Sequence, residues 1–339
     1  MQKKVIKNLV WLAVALTAII FLASRIDRKE LVTILKSTNW SIILLAIPIQ
    51  LAAQVLLGLR WLMLLKPHKV DISPWQTIKL TYLGFFYNSM MPGAVGGDLL
   101  KAWYIRHHSK DHQKVAAVVT VFVDRIVGLV AMICVASIAG IFAGDELVYT
   151  INSRTFHIRW FLWGILLIMI IGSAIALCKP IRKRMMLSGL LKKLPFASLL
   201  QKAEQAINVY RSHIKTIGLT FLMTVVIQSF SIVAIWLLAL SLGFEKVTFL
   251  QCFIIMPIIW VISSAIPIPG GLGVSEGLII FLFGMVIDPS SPQTAHTDAA
   301  ALAVLVRILG YAASLPGGLV PIFGGHLPKA SEMQDELEQ

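Results

Sequence analysis

The sequence has few charged residues and few cysteines, and each shortage excludes a class of protein. Charged residues make up 14% of the 339 residues, whereas an ordinary soluble domain has about 25%. The cysteines, Cys134, Cys178 and Cys252, are odd in number and all lie in apolar runs, which excludes a disulfide framework and gives no metal-ligand spacing. With 57% hydrophobic residues, the chain cannot be an ordinary cytosolic enzyme or a disordered protein. The composition predicts an all-α polytopic membrane protein.

Acidic residues are scarce too, and the net charge of +13 comes from basic residues between the apolar runs. Nine Lys and Arg residues fall within 179–215, against Glu204 alone. This pattern is typical of cytoplasmic loops near anionic lipid, so we expect no nucleic-acid partner. The sequence has no GxxxxGK[ST] motif for nucleotides, and we expect no cofactor. The histidines near residue 107 lie among basic residues, which favours a membrane-surface segment over a metal site.

Six apolar stretches are long enough to cross a bilayer, which takes about 20 mainly apolar residues in a helix. They are residues 6–24, 41–59, 116–142, 158–178, 216–242 and 298–326. Two more apolar stretches, 78–100 and 250–287, contain helix-breaking residues in their middle. These residues are Pro92, Gly93, Gly96, Gly97, Pro267, Pro269, Gly270, Gly271 and Gly273. Because irregular backbone is not tolerated against lipid, we expect both breaks to be buried in protein or to line a wet cavity.

The charges of the connections predict how the chain crosses the membrane. Four connections are net positive and are expected on the cytoplasmic side, together with both termini; they are residues 1–8, 60–79, 101–114 and 179–215. The connections 143–157 and 288–298 are net negative and are expected outside. The stretch 78–100 is therefore predicted to be a re-entrant hairpin from the inside, and 250–287 one from the outside. The positive segment 25–39 does not fit this alternation, and we interpret it as an amphipathic surface helix.

This topology contains an inverted repeat. Each half runs span, span, re-entrant hairpin, span, and the directions are reversed in the second half. The motif R-I-x-G-x-x-A begins at Arg125 and again at Arg307, each nine residues after the start of its span. We therefore predict a first membrane repeat over 1–145, a second over 146–328, and an acidic tail over 329–339. Inverted repeats with broken helices are a recurrent transporter architecture, with the substrate site between the repeats.

Arg125 and Arg307 lie about 13 Å into their spans at 1.5 Å per residue. One interpretation is structural: Arg125 pairs with Asp98 or Asp124, and Arg307 with Glu276. The other is functional: each arginine faces a polar cavity and binds an anionic group such as a lipid phosphate, which suits the planar guanidinium. Both interpretations can hold if the carboxylate pairs with the arginine while no phosphate is bound.

The glycine-rich breaks also allow two interpretations. They can be simple turns and caps, with Asp98 as the N-cap of a helix that starts near Leu99. They can also bind an anion through the unpaired N–H groups of a helix N-terminus. Glu276 lies several residues after its glycines, and we expect it to face the cavity and bind a cationic headgroup or a proton. The candidate substrate-binding residues are Asn88, Asp98, Asp124, Arg125, Glu276 and Arg307.

These motifs resemble a known family. The segment Asn88 to Asp98, the pair Asp124-Arg125, the segment Pro267 to Gly277 and Arg307 are similar to the transmembrane region of the lysylphosphatidylglycerol synthase family. That region is the flippase half of the multiple peptide resistance factor. The resemblance implies a multi-pass protein of a bacterial or archaeal plasma membrane, of the stand-alone type without the aminoacyl-transferase domain.

The function expected from these observations is a lipid flippase that moves a phospholipid or related amphiphile between leaflets, and not an enzyme. One alternative is a membrane-embedded enzyme that acts on lipid headgroups, with Asp98 or Glu276 as acid or base. Another is a non-catalytic scaffold that uses segment 179–215 as a docking surface. The lipid, the direction of transport, the coupling ion and the oligomeric state do not follow from the sequence.

Overall fold

The computed structural model describes residues 28–90, 96–110, 113–142, 148–151, 154–157, 160, 163–168, 171–172, 208–210, 212–265, 271–287 and 292–324. The helices in these ranges are α1 (Arg28–Ser37), α2 (Trp40–Leu65), α3 (Pro74–Met90), α4 (Gly96–His108), α5 (Lys114–Phe142), α6 (Ile214–Ser241), α7 (Phe249–Ala265), α8 (Val274–Ile287) and α9 (Pro292–Gly324). Two short strands, β1 (Val148–Ile151) and β2 (Arg154–His157), pair antiparallel. The protein is an all-α polytopic membrane protein, and this small ribbon is its one departure among the described residues.

Four of the described helices are long and apolar enough to cross a bilayer. They cover Trp40–His68, Lys114–Phe142, Ile214–Ser241 and Ala295–Val320, of 26 to 29 residues each. At 1.5 Å per residue each is about 40 Å long, more than the roughly 30 Å of the hydrocarbon core. They correspond to the predicted spans 41–59, 116–142, 216–242 and 298–326. The predicted span 6–24 and most of 158–178 lie outside the described residues.

Both interrupted stretches are helix pairs, as their proline and glycine content predicts. The helix α3 ends at Met90 and α4 begins at Gly96, while α7 ends at Ala265 and α8 begins at Val274. Of the predicted breaking residues, Pro92, Gly93, Pro267, Pro269 and Gly270 lie outside the described residues. Gly96 and Gly97 are the first residues of α4. Gly271 and Gly273 have φ of +64° and +80°, a backbone conformation that residues with a Cβ rarely adopt.

The first helix of each pair packs against a long helix of the other half of the chain. The helices α2 and α6 lie along each other, α3 packs on α9, and α7 packs on α5. Each second member of a pair packs on the long helix that follows it, α4 on α5 and α8 on α9. Corresponding elements of the two predicted repeats therefore make corresponding contacts. The inverted direction of the second repeat stays a prediction.

The outer and inner surfaces of this bundle differ in polarity. Large apolar side chains such as Leu44, Phe122, Phe142 and Leu315 are exposed on the long helices. Polar and charged side chains, among them Arg60, Lys101, Asp124 and Gln228, are buried. Because lipid solvates apolar surface and excludes charge, this arrangement fits a helix bundle in a bilayer with a polar interior.

The segment predicted as a surface helix, 25–39, contains α1 over Arg28–Ser37. It ends immediately before α2, whose first turn is capped by Asn39: the side-chain oxygen accepts a hydrogen bond from the Ser41 N–H at 3.1 Å. The helical conformation is thus as expected, while its location at a membrane surface stays a prediction.

Candidate functional site

A cavity of about 490 Å³ lies between the two halves of the bundle. Its wall contains residues from α2 to α9, including both helix pairs. All six predicted substrate-binding residues line it: Asn88, Asp98, Asp124, Arg125, Glu276 and Arg307. Residues that are up to 219 positions apart in the chain are therefore brought to one site. The volume falls in the range of about 300–1,000 Å³ that is usual for ligand pockets.

The first arginine pair joins α4 to α5. Arg125 Nε donates a hydrogen bond to Asp98 Oδ2 at 2.6 Å, which resolves the choice between Asp98 and Asp124. Asp98 is the third residue of α4, so it is not the N-cap of a helix starting near Leu99, one of the two roles considered for it. Its charge still lies in the first turn, where the helix dipole favours an anion. The Arg125 side chain is 49% exposed, so this pair is open to an occupant of the cavity.

The second arginine pair joins α8 to α9. Arg307 Nε donates to Glu276 Oε1 at 2.6 Å, and a terminal nitrogen donates to Ser275 Oγ at 2.8 Å. The other carboxylate oxygen of Glu276 accepts from the Gly273 N–H at 2.8 Å and from Ser275 Oγ at 3.0 Å. Glu276 therefore caps the first N–H group at the start of α8, which is one half of a capping box, as well as pairing with the arginine. It lines the cavity, as expected, but both of its oxygens are already engaged.

A third ion pair in the cavity wall was not predicted. Arg60 of α2 donates from Nε to Asp124 Oδ1 at 2.9 Å and from a terminal nitrogen to the Asp124 backbone carbonyl at 3.2 Å. A further Arg60 nitrogen donates to Thr224 Oγ1 of α6 at 2.8 Å. The two charged side chains are 5% and 11% exposed. This pair therefore links three long helices, α2, α5 and α6, from within the bundle.

Asn88 lies near the end of α3 and binds the start of α4. Its side-chain oxygen accepts a hydrogen bond from the Gly97 N–H at 2.7 Å. The two helices touch there through backbone: a Cβ added at Gly97 would lie 1.9 Å from the Gly84 carbonyl oxygen. Only glycine fits such an approach, so the first break is held by a glycine contact and one side-chain cap.

The remaining wall of the cavity is part polar and part apolar. Four buried polar atoms on it, Gln54 Oε1, Thr81 Oγ1, Gln228 Oε1 and Ser263 Oγ, have no hydrogen-bond partner in the described part of the chain. Buried polar atoms nearly always have a partner, so they indicate a polar occupant, either ligand or water. Apolar side chains complete the wall, among them Leu57, Phe85, Leu129, Met132 and Ile259. The site can therefore hold a group that is polar at one end and apolar at the other.

Comparison with known proteins identifies the family of this chain. The family described as "Lysylphosphatidylglycerol synthase TM region" matches residues 8–318, nearly the whole chain. The chain belongs to this family. The resemblance expected from the residues around Asn88–Asp98 and Pro267–Gly277 is thus confirmed, and all residues of the three ion pairs fall inside the matched range.

Two archaeal relatives are similar to this member of the lysylphosphatidylglycerol synthase transmembrane family. The UPF0104 membrane protein PH1989 of Pyrococcus horikoshii is 24% identical over 297 residues, covering 81% of this chain and 85% of its own. The UPF0104 membrane protein MJ1595 of Methanocaldococcus jannaschii is 24% identical over 326 residues, covering 93% of this chain and 96% of its own. The match leaves too little of either relative for a separate transferase domain, so both are stand-alone membrane proteins.

Sequence reasoning missed two charged cavity residues of this family member, Arg60 and Lys101. Both were counted as charges of the cytoplasmic connections 60–79 and 101–114, but Arg60 lies within α2 and Lys101 within α4, and both are buried. Each connection stays net positive without them, so the predicted orientation is unaffected. A signal for Lys101 was present, since it lies one helical turn after Asp98 and shares its helix face. Arg60 had no such local signal.

Proposed function

We propose that this membrane protein moves a phospholipid or related amphiphile between the leaflets of the plasma membrane, with the lipid phosphate held by Arg125 and Arg307. The observation that carries the proposal is that two arginine–carboxylate pairs, one from each half of the chain, line one cavity. A charge inside the hydrocarbon region costs about 2.5–3.5 kcal/mol on insertion scales, so such residues usually serve a substrate path.

The paired carboxylates explain how the arginines stay stable without substrate. Asp98 and Glu276 each accept a hydrogen bond from the neighbouring arginine, which avoids an uncompensated charge inside the bundle. A phosphate oxygen is a comparable acceptor and offers bidentate geometry to a guanidinium. The lipid phosphate would displace the carboxylate from one arginine, and the carboxylate would return when the phosphate leaves.

The two arginines would act in turn. Arg125 is the more accessible, with 49% of its side chain exposed, and Arg307 is the more enclosed, at 21%. In alternating access the two repeats rock against each other around a central site, so the enclosed arginine of one state becomes the accessible one of the other. The phosphate would pass from Arg125 to Arg307 or in the opposite direction. The apolar wall would contact the part of the acyl chains that lies next to the headgroup.

The experiment is transbilayer movement of labelled phospholipids in liposomes that contain the purified protein, read by quenching of the outer leaflet. We expect movement with the wild type, and its loss in Arg125→Ala and in Arg307→Ala. The matched controls are Ile126→Ala and Ile308→Ala, the next residues on the same helices, whose side chains are 54% and 46% exposed. Lys246→Ala, at an exposed position, controls for loss of positive charge. Both control types should move lipid at the wild-type rate.

The same liposomes distinguish the alternative functions. Mass spectrometry of the recovered lipid should find its chemistry unchanged, whereas a modified headgroup would favour the enzyme. The sequence has no GxxxxGK[ST] motif for a nucleotide, so an energy source for transport would be an ion gradient. Ion gradients of either sign, applied across the liposome membrane, test for this coupling. Wild-type rates in Arg307→Ala would contradict the assignment of the site. No movement above empty liposomes for any lipid would contradict transport itself.

A further inference from the structure

Lys101 is a cavity residue that the proposed phosphate relay does not use. It lies on α4 one turn after Asp98, it lines the cavity, and it is 7% exposed. Its Nζ is 5.3 Å from the centre of the Trp61 ring, a cation–π distance. Trp61 is fixed in turn, because its indole N–H donates to Thr120 Oγ1 at 3.1 Å.

The space for this side chain is provided by a glycine on the neighbouring helix. A Cβ added at Gly84 of α3 would lie 3.1 Å from Lys101 Cε. The lysine stem therefore lies directly against the backbone of α3, with an aromatic ring beside its ammonium group. The position therefore holds the lysine side chain inside the bundle, at the wall of the cavity.

Lys101 has no carboxylate of its own. The charged groups close enough to act on it are Asp98, Asp124, Arg60 and Arg125. Each of these two carboxylates is already in an ion pair, Asp98 with Arg125 and Asp124 with Arg60. Lys101 makes no hydrogen bond or ion pair with any described residue beyond its contact with the Trp61 ring. Among the described residues, the cavity wall thus has four cations, counting Arg307, and three carboxylates.

This excess charge belongs to one half of the site. The residue three positions after Glu276, which corresponds to Lys101, is Ile279, and the residue before Arg307, which corresponds to Asp124, is Val306. Both apolar residues also line the cavity. The wall next to Arg125 is therefore cationic, and the wall next to Arg307 is neutral.

We propose that Lys101 is a specificity-determining anion site, which selects amphiphiles whose headgroup is net anionic. The inference rests on the proposed function and names its substrate class. A phosphate between Lys101 and Arg125 would neutralise the excess positive charge of the wall. An amine on the headgroup would need a carboxylate. Asp124 and Glu276 are engaged by Arg60 and Arg307. Asp98, once the phosphate displaces it from Arg125, lies one helical turn from Lys101 and would pair with that lysine. Zwitterionic lipids and lipids with an aminoacylated, net cationic headgroup are therefore poor ligands, including lysylphosphatidylglycerol itself.

The first test is thermal unfolding of the detergent-purified protein with added ligand, because a ligand that binds the folded state raises the melting temperature. The probes are phosphatidylglycerol (anionic), phosphatidylcholine (zwitterionic), lysylphosphatidylglycerol (cationic) and soluble glycerol phosphate. We expect phosphatidylglycerol to raise the melting temperature of the wild type most. Lys101→Met should lose this selective rise, Lys101→Arg should keep it, and Lys246→Met should leave it unchanged.

The second test is movement of the same three lipids in liposomes. A hydrogen bond to a charged group typically changes a binding constant by about a factor of ten or more. Lys101→Met should therefore lower the rate of phosphatidylglycerol movement about tenfold and leave the rate for the zwitterionic lipid unchanged. The inference would be overturned if anionic and zwitterionic lipids raised the melting temperature of the wild type equally and were moved by it at equal rates. This outcome does not depend on whether the variant folds.

The two tests separate this inference from the proposed function. Selective, Lys101-dependent stabilisation by phosphatidylglycerol without any lipid movement would support the anion site and contradict transport. Stabilisation by glycerol phosphate alone would support an anion site for a soluble phosphate ester and contradict a lipid substrate. Lipid movement without charge preference would support transport and contradict the role of Lys101.

Discussion

The two helix pairs share a local design but differ in what surrounds it. In each, an acid is the third residue of the helix that follows a glycine-rich break, and it pairs with an arginine of the next long helix. In the first half this pair is accessible, with Arg125 49% exposed. In the second half Arg307 is 21% exposed and is also bound to Ser275.

The residue just before the acid shows how this difference arises. In the first half it is Gly97, whose backbone touches Gly84 of the preceding helix. In the second half it is Ser275, whose hydroxyl binds Arg307, Glu276 and the Gly271 carbonyl. The first pair is therefore held by close helix packing and leaves its arginine accessible, while the second is held by hydrogen bonds around the arginine itself. One motif thus presents an open and an enclosed cation in the same cavity.

The largest expected effect concerns the buried ion pair between Arg60 and Asp124. Arg60→Ala would leave the buried Asp124 carboxylate without its partner, and breaking a buried ion pair typically costs about 3–5 kcal/mol. We expect the free energy of unfolding in detergent, measured by chemical denaturation, to fall by that order. The double variant Arg60→Met with Asp124→Leu removes both charges and should recover most of the loss. A fall of less than about 1 kcal/mol in Arg60→Ala would mean that the pair does not hold the bundle together.

An intermediate effect is expected from the glycine contact of the first break. Gly97→Ala adds a Cβ that would lie 1.9 Å from the Gly84 carbonyl oxygen, so α3 and α4 must separate. Overpacking of this kind costs about 1–3 kcal/mol, and we expect unfolding at a lower denaturant concentration. The matched control is Gly310→Ala in α9, where the added Cβ meets nothing within 4 Å. Equal stability of the two variants would show that the helices do not need this close approach.

The smallest effect is expected from the hydrogen bonds that enclose the second arginine. Ser275→Ala removes the hydroxyl between Arg307 and Glu276 but leaves their ion pair, so the stability should fall by about 0.5–1.5 kcal/mol. Ser264→Ala on α7, whose hydroxyl bonds only to its own helix among the described residues, is the control. If Ser275→Ala also makes Arg307 more accessible to a guanidine-modifying reagent, the hydroxyl contributes to the enclosure. Unchanged stability and unchanged modification would remove the proposed difference between the halves.

Much of the fold was predictable because its signals are local. Runs of about 20 apolar residues predict spans wherever they occur, and Pro92-Gly93 and Pro269-Gly270-Gly271 predict breaks because proline and clustered glycine disfavour a helix. The signal is not decisive, since Pro316-Gly317-Gly318 lies within the continuous helix α9. The arginines were predictable as cavity residues because a charge within an apolar run is costly against lipid and usually faces the bundle interior. Their expected carboxylates lie nearby in the sequence, 27 and 31 residues away.

Local sequence is enough to predict a membrane-spanning helical protein, its two interrupted helix pairs and the arginines within its spans, since hydropathy, proline and glycine act over a few residues. That Arg60 and Lys101 belong to the cavity follows from the packing of the helices alone. The partners of Arg60 are Asp124 and Thr224, 64 and 164 residues away, and the ring beside Lys101 comes from another helix. A basic residue at the edge of an apolar run can face water or the interior with the same local sequence. Which one it does depends on the helices that pack against it.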